Sequence, residues 1–384
     1  MISKKRAIIY GIMLVVITFM ITSTFNLALG GKVVISKSMY EEYKKYNKMI
    51  ALEELIKEDF YQKTDDEKLV DGAIKGMFSG LDDPYSQYYT KDEFEKLTQQ
   101  TSGSFVGIGV YISPTSDDDL ITIISPIAGS PAEKSGIKAG DKILKVDGTV
   151  VSAQKSDEAI SMIKGKKGTE VELTIKRGEQ ILDLKVKREE IVSDTVDGKV
   201  LEDNIGYVKI TSFTEHTNKE FEETLATLKR NQIKGLIIDL RDNPGGLLNV
   251  CKDIADSLIG EGTIVYTKDN KGNTEYLKSD KEKLGLPIAV LTNEGSASAS
   301  EILTAAIVDN NAGISVGTTT FGKGLVQSVR ELKDGTGYKL TTAQYFTPSG
   351  EYINGKGIKP TIEEDDEGKQ LNAAIEWVKE QVNK

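Results

Sequence analysis

Three serines at alternate positions follow an apolar segment of strand length and precede a helical pattern. The apolar segment runs from Pro287 to Leu291, and the serines are Ser296, Ser298 and Ser300. The first N–H groups of a helix have no partner inside the helix, and its dipole favours negative charge there. A serine at this place can therefore act as a nucleophile whose oxyanion is stabilised by the backbone. The alternative is that these serines only cap the helix, a common role for serine.

A nucleophilic serine needs a base, and the chain has a single histidine, His216. Its polar surroundings, FTEHTNKEF, are typical of a solvated residue near a helix start. A lysine can replace histidine when burial lowers its pKa. Lys323 lies between Gly322 and Gly324, and flanking glycines allow the backbone to approach another element closely. The alternative for Lys323 is an exposed loop lysine.

These pieces together resemble the carboxyl-terminal processing (tail-specific) serine proteases. The resemblance rests on SASASEI, on FGKG with its lysine 25 residues after the middle serine, and on a glutamine four residues after that lysine. It implies that Ser298 is the nucleophile, that Lys323 is its base, and that Gln327 orients the lysine.

The turn RDNPGG follows an apolar strand, IKGLIIDL, of the kind found inside a sheet covered on both faces. Gly245 and Gly246 of this turn can present backbone N–H groups to a neighbouring site. The resemblance implies that this turn supplies an oxyanion donor, paired with the N–H of Ala299. An ordinary strand-to-helix turn is the alternative.

Residues 101–190 have the pattern of a small β-rich domain. SFVGIGVYI and LITIIS are predicted strands, SDEAISMI a short helix, and VELTIKRG with ILDLKVKRE a hairpin. This pattern resembles a PDZ domain, in which a bound peptide adds a strand beside the helix, here at 157–163. The resemblance implies that the peptide's terminal carboxylate is bound by Val106, Gly107, Ile108 and Gly109. Many family members carry arginine near the end of that helix, where this chain has Lys164, and lysine does not reproduce bidentate contacts. A β-module without a ligand is the alternative.

Residues 1–30 differ from the rest of the chain in composition. Basic residues at positions 4–6 precede a mostly apolar run that ends at Leu29 and is long enough to cross a bilayer. The positive flank predicts a single-pass cell-membrane protein whose catalytic part lies outside the cytoplasm. A cleaved signal peptide, with small residues at Ala28 and Gly30, is the alternative, and the protein would then be secreted.

The charge balance and the cysteine count exclude several classes of protein. The formal net charge is −10, and residues 31–384 alone carry −13, because residues 1–30 hold three of the 49 basic side chains and none of the 59 acidic ones. This acidity argues against nucleic-acid binding. No metal-ligand spacing, phosphate loop or dinucleotide fingerprint occurs, so no metal or cofactor is expected. Cys251 is the only cysteine, which excludes an intramolecular disulfide and predicts a buried thiol in an apolar helix.

The predicted fold is an α/β protease core with crotonase-like βαβ units, an inserted all-β PDZ-like domain, a helical N-terminal region and one membrane anchor. The expected domains are the anchor (1–30), the helical region (31–100), the PDZ-like domain (101–190), the protease core (191–350) and a tail with a helix (351–384). The predicted protein is a membrane-anchored serine endopeptidase that recognises the C-terminal tails of exported proteins. A crotonase-like hydratase or acyl enzyme and an inactive PDZ scaffold are the alternatives. The export signal and PDZ-like domain argue against the first, and the Ser298/Lys323 pair argues against the second.

Two helical segments, 36–80 and 371–382, have apolar faces without an evident partner in the sequence. The second includes Trp377, the only tryptophan, whose large ring is costly to leave in water. An apolar face left over after the core is filled marks an interface. The family resemblance also implies dimers built through terminal helices, so a homodimer is expected. The alternative is that both segments pack on the chain's own core.

Overall fold

A computed structural model describes residues 4–29, 35–113, 119–127 and 129–384. The chain divides into two compact units, Met1–Gly76 and Met77–Lys384. The first contains α1 (Lys4–Leu29), α2 (Lys37–Asp59) and the beginning of α3 (Asp66–Ser79). Gly30 and the side chain of Ala28, the residues of the cleavage alternative, lie outside the described part.

The two long helices of the first unit expose apolar side chains. Within α1, the segment Lys4–Ser23 is long and apolar enough to span a membrane, a test that a signal sequence also passes. Helix α2 begins after Ser36, whose hydroxyl accepts the Met39 N–H at 3.2 Å. No residue of α2 is buried. Its exposed apolar side chains include Met39, Tyr40, Tyr43, Tyr46, Met49, Leu52, Leu55 and Ile56.

After the end of α3, the second unit continues with a strand and a helix that precede the predicted PDZ-like region, and then with the elements of that region. These are β1 (Gln87–Tyr89), α4 (Lys91–Ser102), β2 (Ser104–Gly107), β3 (Val110–Ser113), β4 (Ile121–Pro126), α5 (Pro131–Lys134), β5 (Lys142–Val146), β6 (Thr149–Val150), α6 (Ser156–Ile163), β7 (Glu170–Arg177), β8 (Gln180–Lys187) and β9 (Glu189–Val192). Strands β3, β4, β5, β7 and β8 pair antiparallel in that order, with β6 on β5. Strand β3 therefore lies at an edge of this sheet, and α6 belongs to the same apolar core.

The segment SFVGIGVYI, predicted as one strand, is divided at Ile108 and Gly109. The first half, β2, pairs with β9, whereas β3 joins the larger sheet. The division occurs because Gly109 has φ +76°, and a Cβ there would lie 2.5 Å from Ser130 Cβ, which only glycine avoids. Next to the β2–β9 ribbon, the Ser193 N–H donates to Gly103 O at 2.9 Å. The chain thus enters and leaves this domain at adjacent points.

The protease core follows. Its elements are β10 (Val196–Val200), β11 (Ile205–Ile210), α7 (Thr217–Arg230), β12 (Gly235–Asp239), α8 (Leu248–Ile259), β13 (Gly262–Asp269), β14 (Thr274–Ser279), β15 (Ile288–Thr292), α9 (Ala299–Asp309), β16 (Gly313–Gly317), β17 (Leu325–Glu331), β18 (Gly337–Phe346), β19 (Ile362–Glu363) and α10 (Glu367–Val382). One sheet has the order β10-β11-β12-β15-β16-β19 and is parallel from β11 onward. A second sheet has the order β1-β18-β13-β14, with β17 also on β18.

Both faces of the parallel sheet are covered, as predicted from its apolar strands. All five residues of β12 are buried. Leu236 and Ile238 pack in one core with α7, α8 and α9, and Ile237 packs in another with α10. Each such side chain stabilises the fold by roughly 1.5–3 kcal/mol. Parallel strands covered on both faces bring their carboxyl ends, and the turns that follow them, to one edge.

A buried ion pair at the end of β12 joins the sheet to the last helix. Asp239 accepts hydrogen bonds from Arg241 Nε at 2.9 Å and from the Tyr207 hydroxyl at 2.7 Å. Although burial favours the protonated acid, these bonds lower the pKa of Asp239. Arg241 Nη1 also donates to Gln370 Oε1 of α10 at 3.2 Å. The carboxylate thus fixes both the start of the turn after β12 and the docking of α10.

Two expectations about the ends of the chain need correction. The apolar face of α10 does have a partner in its own chain: Ala374 and Val378 are fully buried on the parallel sheet, and Trp377 packs against the same cluster. Region 31–100 is also not wholly helical, because β1 pairs antiparallel with β18, Tyr88 opposite Tyr338. Edge pairing with a distant strand overrides the local sequence pattern there.

Candidate active site

The three serines of the turn between β15 and α9 have different surroundings. Ser296 is buried and donates to Leu240 O at 2.8 Å. Ser300 is also buried and donates to Asn243 O at 2.9 Å. Ser298 is half-buried, and its hydroxyl donates no hydrogen bond to a described residue. Ser298 is therefore the one serine of the three whose hydroxyl is free to react.

The backbone of Ser298 is strained. Its φ of 55° and ψ of −110° lie in a region that residues other than glycine rarely adopt. Such a conformation costs about 1–3 kcal/mol and persists only when its surroundings impose it. Here the Ser298 N–H donates to Glu301 Oε2 at 2.8 Å, and the Ala297 N–H donates to Asn243 O at 3.0 Å. This backbone conformation places the Ser298 side chain at the tip of the turn, directly before α9.

Glu301 joins the serine turn to the lysine loop. Its carboxylate is fully buried. Besides Ser298, it accepts from Thr320 Oγ1 at 2.6 Å and from the N–H groups of Gly322 at 2.7 Å and Lys323 at 2.8 Å. One buried carboxylate thus fixes the backbone on both sides of the site. The sequence analysis missed this role, although a glutamate three residues after a helix-capping serine is a recognisable capping-box signal.

The backbone of Lys323 makes the close approach that its flanking glycines predicted. A Cβ at Gly324 would lie 2.8 Å from the Asn354 N, and a Cβ at Gly322 would lie 2.7 Å from the Gly357 N. The Gly324 N–H also donates to Asn354 Oδ1 at 3.1 Å. The loop is therefore packed against the segment before β19 and could not hold larger residues on either side of the lysine.

The side chain of Lys323 is largely removed from water. Its Nζ lies 4.8 Å from the centre of the Tyr85 ring. Burial lowers the pKa of Lys323, repulsion from Lys339 lowers it further, and Glu301 and Asp83 act in the opposite direction. The neutral amine that a general base requires is thus easier to form than in an exposed lysine.

Gln327 lies on β17, four residues beyond the lysine. Its Nε2 donates to Leu325 O at 3.2 Å and to Thr341 Oγ1 at 3.4 Å. Among the described residues, no hydrogen bond joins Lys323 Nζ to Ser298 Oγ or to Gln327. The structure therefore brings the serine and lysine segments together through Glu301, with the lysine amine on Tyr85.

The glycine turn lies directly against the serine. A Cβ at Gly245 would be 2.9 Å from Ser298 Cβ and 3.0 Å from Ala299 N. The Gly245 N–H is occupied, because it donates to Asn243 Oδ1 at 2.9 Å. No described residue accepts the N–H groups of Gly246 and Ala299. These two backbone groups remain available to an oxyanion, and the side chain of Asn243, which the sequence did not single out, shapes the turn.

The four residues predicted to bind a peptide divide into a paired strand and the turn that follows it. Val106 and Gly107 belong to β2 and pair with β9. The carbonyl oxygens of Ile108 and Gly109 are occupied by the N–H groups of Ala132 at 2.8 Å and Ile127 at 3.0 Å. No described residue accepts the N–H groups of Ile108 and Gly109. The available donors are thus concentrated just before β3.

The end of helix α6 is held by an arginine that comes from another part of the domain. Arg188 is buried and donates to Ile163 O and to Met162 O, both at 2.8 Å. Lys164 does not take this role, and its Nζ lies 5.3 Å from the centre of the Phe105 ring. The arginine is therefore structural here, and the lysine faces the first strand of the domain.

Two other residues behave as predicted. Cys251 is a buried thiol whose Sγ donates to Ala299 O at 3.1 Å, and burial raises its pKa. His216 lies at the start of α7. Among the described residues, no hydrogen bond joins the side chain of either residue to the Ser298 hydroxyl.

An accessible serine in a strained turn, a desolvated lysine and a PDZ-like domain define the class as a serine-type peptidase. The chain belongs to peptidase family S41, whose profile matches residues 204–364. A PDZ profile matches residues 96–176, and a profile described as the N-terminal domain of the activating protease CtpB matches residues 17–93.

Relatives and solved structures agree with this family. The chain is 43% identical over 354 residues to the carboxy-terminal processing protease CtpA of Bacillus subtilis (strain 168), covering 91% of this chain and 76% of that protein. It is 40% identical to a probable CtpA-like serine protease of Staphylococcus aureus (strain N315), of which the match covers 64%. A structure of a photosystem II D1 C-terminal processing protease superposes with a TM-score of 0.51 at 28% identity, over 87% of this chain and 94% of that one. The family and the serine-type peptidase activity predicted from the sequence are confirmed, and the hydratase alternative is set aside.

Proposed function

We propose that this protein is an endopeptidase that processes exported proteins with Ser298 as nucleophile and Lys323 as base, supported by Gln327. The observation that carries the proposal is the contrast among the three serines. Ser296 and Ser300 are buried and hydrogen-bonded, whereas Ser298 has an accessible hydroxyl in a strained turn. Glu301 holds the same turn against the lysine loop.

In the proposed reaction, Ser298 Oγ attacks the scissile carbonyl while neutral Lys323 accepts the hydroxyl proton. The N–H groups of Ala299 and Gly246 stabilise the oxyanion, each by about 3 kcal/mol. Lys323 then protonates the leaving amine, and water repeats the sequence on the acyl enzyme. Because the amine rests on Tyr85 in this structure, the dyad closes when substrate is bound. Catalytic hydrogen bonds commonly tighten at that stage.

The direct test is to locate the serine that a covalent phosphonylating reagent labels. The purified full-length protein is incubated with a serine-reactive fluorophosphonate, and the labelled peptide is identified by mass spectrometry. We expect the label on Ser298 and its loss in Lys323→Ala, because the lysine removes the hydroxyl proton. A label on Ser296 or Ser300, or peptide cleavage that persists in Ser298→Ala, would refute the assignment.

The PDZ domain is proposed to bind the C-terminal tail of the substrate. The open edge of β3 can accept an added strand, and the N–H groups of Ile108 and Gly109 are placed to bind a terminal carboxylate. A fluorescent peptide with an apolar last residue should bind the full-length protein more tightly as the free acid than as the amide. Equal affinities of acid and amide would remove carboxylate recognition from the proposal.

The proposed location follows from α1. A helix of this length and composition, with basic residues before it, anchors the chain with the catalytic part outside the cytoplasm. The test is the N-terminus of the mature protein in membrane fractions. An intact N-terminus supports the anchor, and a new N-terminus near residue 30 establishes secretion instead.

A homodimer is proposed through α2 rather than α10. The apolar side chains of α2 are exposed over its whole length, whereas α10 packs in its own chain. Light scattering on the detergent-solubilised protein should give a dimer, and Leu52→Glu with Leu55→Glu should convert it to a monomer. A monomeric wild type would contradict the proposal.

A further inference from the structure

The end of the Lys323 side chain is held by a residue far away in the sequence. Tyr85 presents its ring to Lys323 Nζ at 4.8 Å from the ring centre. It lies within the region that matches the CtpB N-terminal domain, outside the region that matches the peptidase family. The electron-rich face of an aromatic ring attracts an ammonium group at this distance. The N-terminal region thus contributes a side chain to the catalytic centre.

The position of Tyr85 is fixed from both sides. After it, β1 pairs with β18, and buried Ser86 accepts the Thr341 N–H at 3.0 Å. Before it, Asp83 accepts the Ser86 hydroxyl at 2.5 Å and the Tyr85 N–H at 3.1 Å. Thr341 also accepts a hydrogen bond from Gln327, so the tyrosine loop and the glutamine share one strand residue. The backbone that carries the ring is therefore fixed against β18.

Three charged groups face Lys323 besides the ring. Lys339 on β18 repels the ammonium form, whereas Asp83 of the tyrosine loop and Glu301 of α9 attract it. All three act through space, because no hydrogen bond ties Nζ to a described residue. The ring is therefore the contact that defines where the amine lies.

We propose that Tyr85 is a positioning residue for the Lys323 base. Its ring holds the resting ammonium beside the serine turn, so that the amine is already in place when substrate binds and the proton is lost. The inference rests on the proposed catalytic role of Lys323. It adds that the base is positioned by residues 83–86, which lie outside the region that matches the peptidase family.

A second role for Tyr85, in substrate binding, must be distinguished from positioning of the lysine. The ring also lines an open cavity of about 790 Å³, together with Leu81, Pro84, Phe321, Leu325 and Leu340. An apolar cavity beside the catalytic lysine could receive a substrate side chain, and Tyr85 would then act on substrate binding. Phe321 is a suitable control because it lines the same cavity, is 57% exposed, and belongs to the lysine loop itself.

The experiment compares Tyr85→Leu, Tyr85→Phe and Phe321→Leu in the full-length protein. For each, kcat, KM and the pH profile of kcat/KM are measured on one peptide, after Ser298→Ala has shown that cleavage depends on this serine. Leucine keeps an apolar group over Nζ and removes the ring face. We expect Tyr85→Leu to lower kcat about tenfold and to move the acid limb to lower pH, because the ammonium form loses its partner. Tyr85→Phe keeps the ring, so its kcat and the position of its acid limb should be those of the wild type.

The Phe321→Leu control distinguishes positioning of the lysine from shaping of the cavity. Phe321→Leu should raise KM and leave the pH profile in place. If Tyr85→Leu changes only KM, or lowers kcat with an unmoved acid limb, the ring merely shapes the cavity and the proposal is overturned. A loss in Tyr85→Phe as large as in Tyr85→Leu would also overturn it, because the hydroxyl and not the ring would then be responsible. Cleavage that persists in Ser298→Ala would defeat the proposed function itself, and with it the base that Tyr85 is inferred to position, whereas the outcomes above defeat the inference alone.

Discussion

The serine turn (residues 293–301) and the lysine loop (residues 318–324) are both rich in small residues. Their functional side chains are fixed in different ways. In the turn, side chains such as Ser296 and Ser300 are hydrogen-bonded into the core, so the backbone fixes the nucleophile. In the loop, Glu301 fixes the backbone of Lys323, but the amine itself rests on a ring. The proposed nucleophile is thus held by hydrogen bonds of the fold, whereas the amine of the proposed base is held by a ring contact alone.

The largest effect is expected from removing the reacting groups. Ser298→Ala and Lys323→Ala should each lower kcat by about four orders of magnitude or more, because each group takes part in the bond changes. The melting temperature of Ser298→Ala should stay nearly unchanged, since the hydroxyl lost donates to none of the residues that the structure describes. Peptide cleavage and thermal unfolding measure the two quantities. If Ser296→Ala is inactive and Ser298→Ala is active, the nucleophile lies two residues earlier.

Glu301→Gln breaks the link between the two regions. An amide cannot accept from all four donors, and its NH₂ would face N–H groups. We expect kcat to fall by about 100-fold, as for a misplacement of reacting groups, and stability to fall by about 2–3 kcal/mol. Glu294→Gln is the matched control, since Glu294 is exposed on the same turn and accepts only from Thr318 Oγ1 at 3.3 Å. Equal loss in both variants would deny Glu301 a special role.

Ser296→Ala tests whether the turn is held by its buried hydroxyls. The substitution leaves the Asn293 N–H without its partner and removes one of the two donors to Leu240 O, at a cost of about 1–3 kcal/mol in the free energy of unfolding. We expect kcat to fall less than tenfold, because the serine that reacts is retained. Denaturant unfolding and peptide cleavage provide the two values. An unchanged unfolding midpoint would show that the turn does not depend on this hydroxyl.

The smallest effect is expected for Lys339→Met. The positive charge of Lys339 lowers the pKa of Lys323, so its removal raises that pKa. The base works only as the neutral amine, which exists above its pKa. The acid limb of kcat/KM should therefore move to slightly higher pH, and a pH profile of each protein measures the shift. A shift to lower pH would mean that another group controls the acid limb.

The sequence predicts the reacting residues better than the residues that hold them. Spacing and residue type led to the three serines and to Lys323, because a strand, a turn and a helix leave a local pattern, and the family resemblance singled out Ser298. The role of Glu301 could be suspected only as a helix cap, since its other donors come from a loop whose approach no local pattern shows. Tyr85 could not be predicted, because its place depends on pairing between β1 and β18, some 250 residues apart in sequence.

Amphipathic patterns have the same weakness. The helices α2 and α10 both showed an apolar face in the sequence, and both were expected at an interface. The structure covers Ala374 and Val378 of α10 with the parallel sheet and buries no residue of α2. A hydrophobic face shows that something must cover the helix, but the covering surface is a property of the whole fold.

The ribbon formed by β2 and β9 has a consequence for the history of this chain. Because Gly103 and Ser193 are hydrogen-bonded to each other, everything between them is attached to the peptidase through one narrow stem. A recombination event that exchanged residues 104–192 would leave the catalytic residues in place and change only the recognition domain. One peptidase can in this way acquire new substrates without any change in its chemistry.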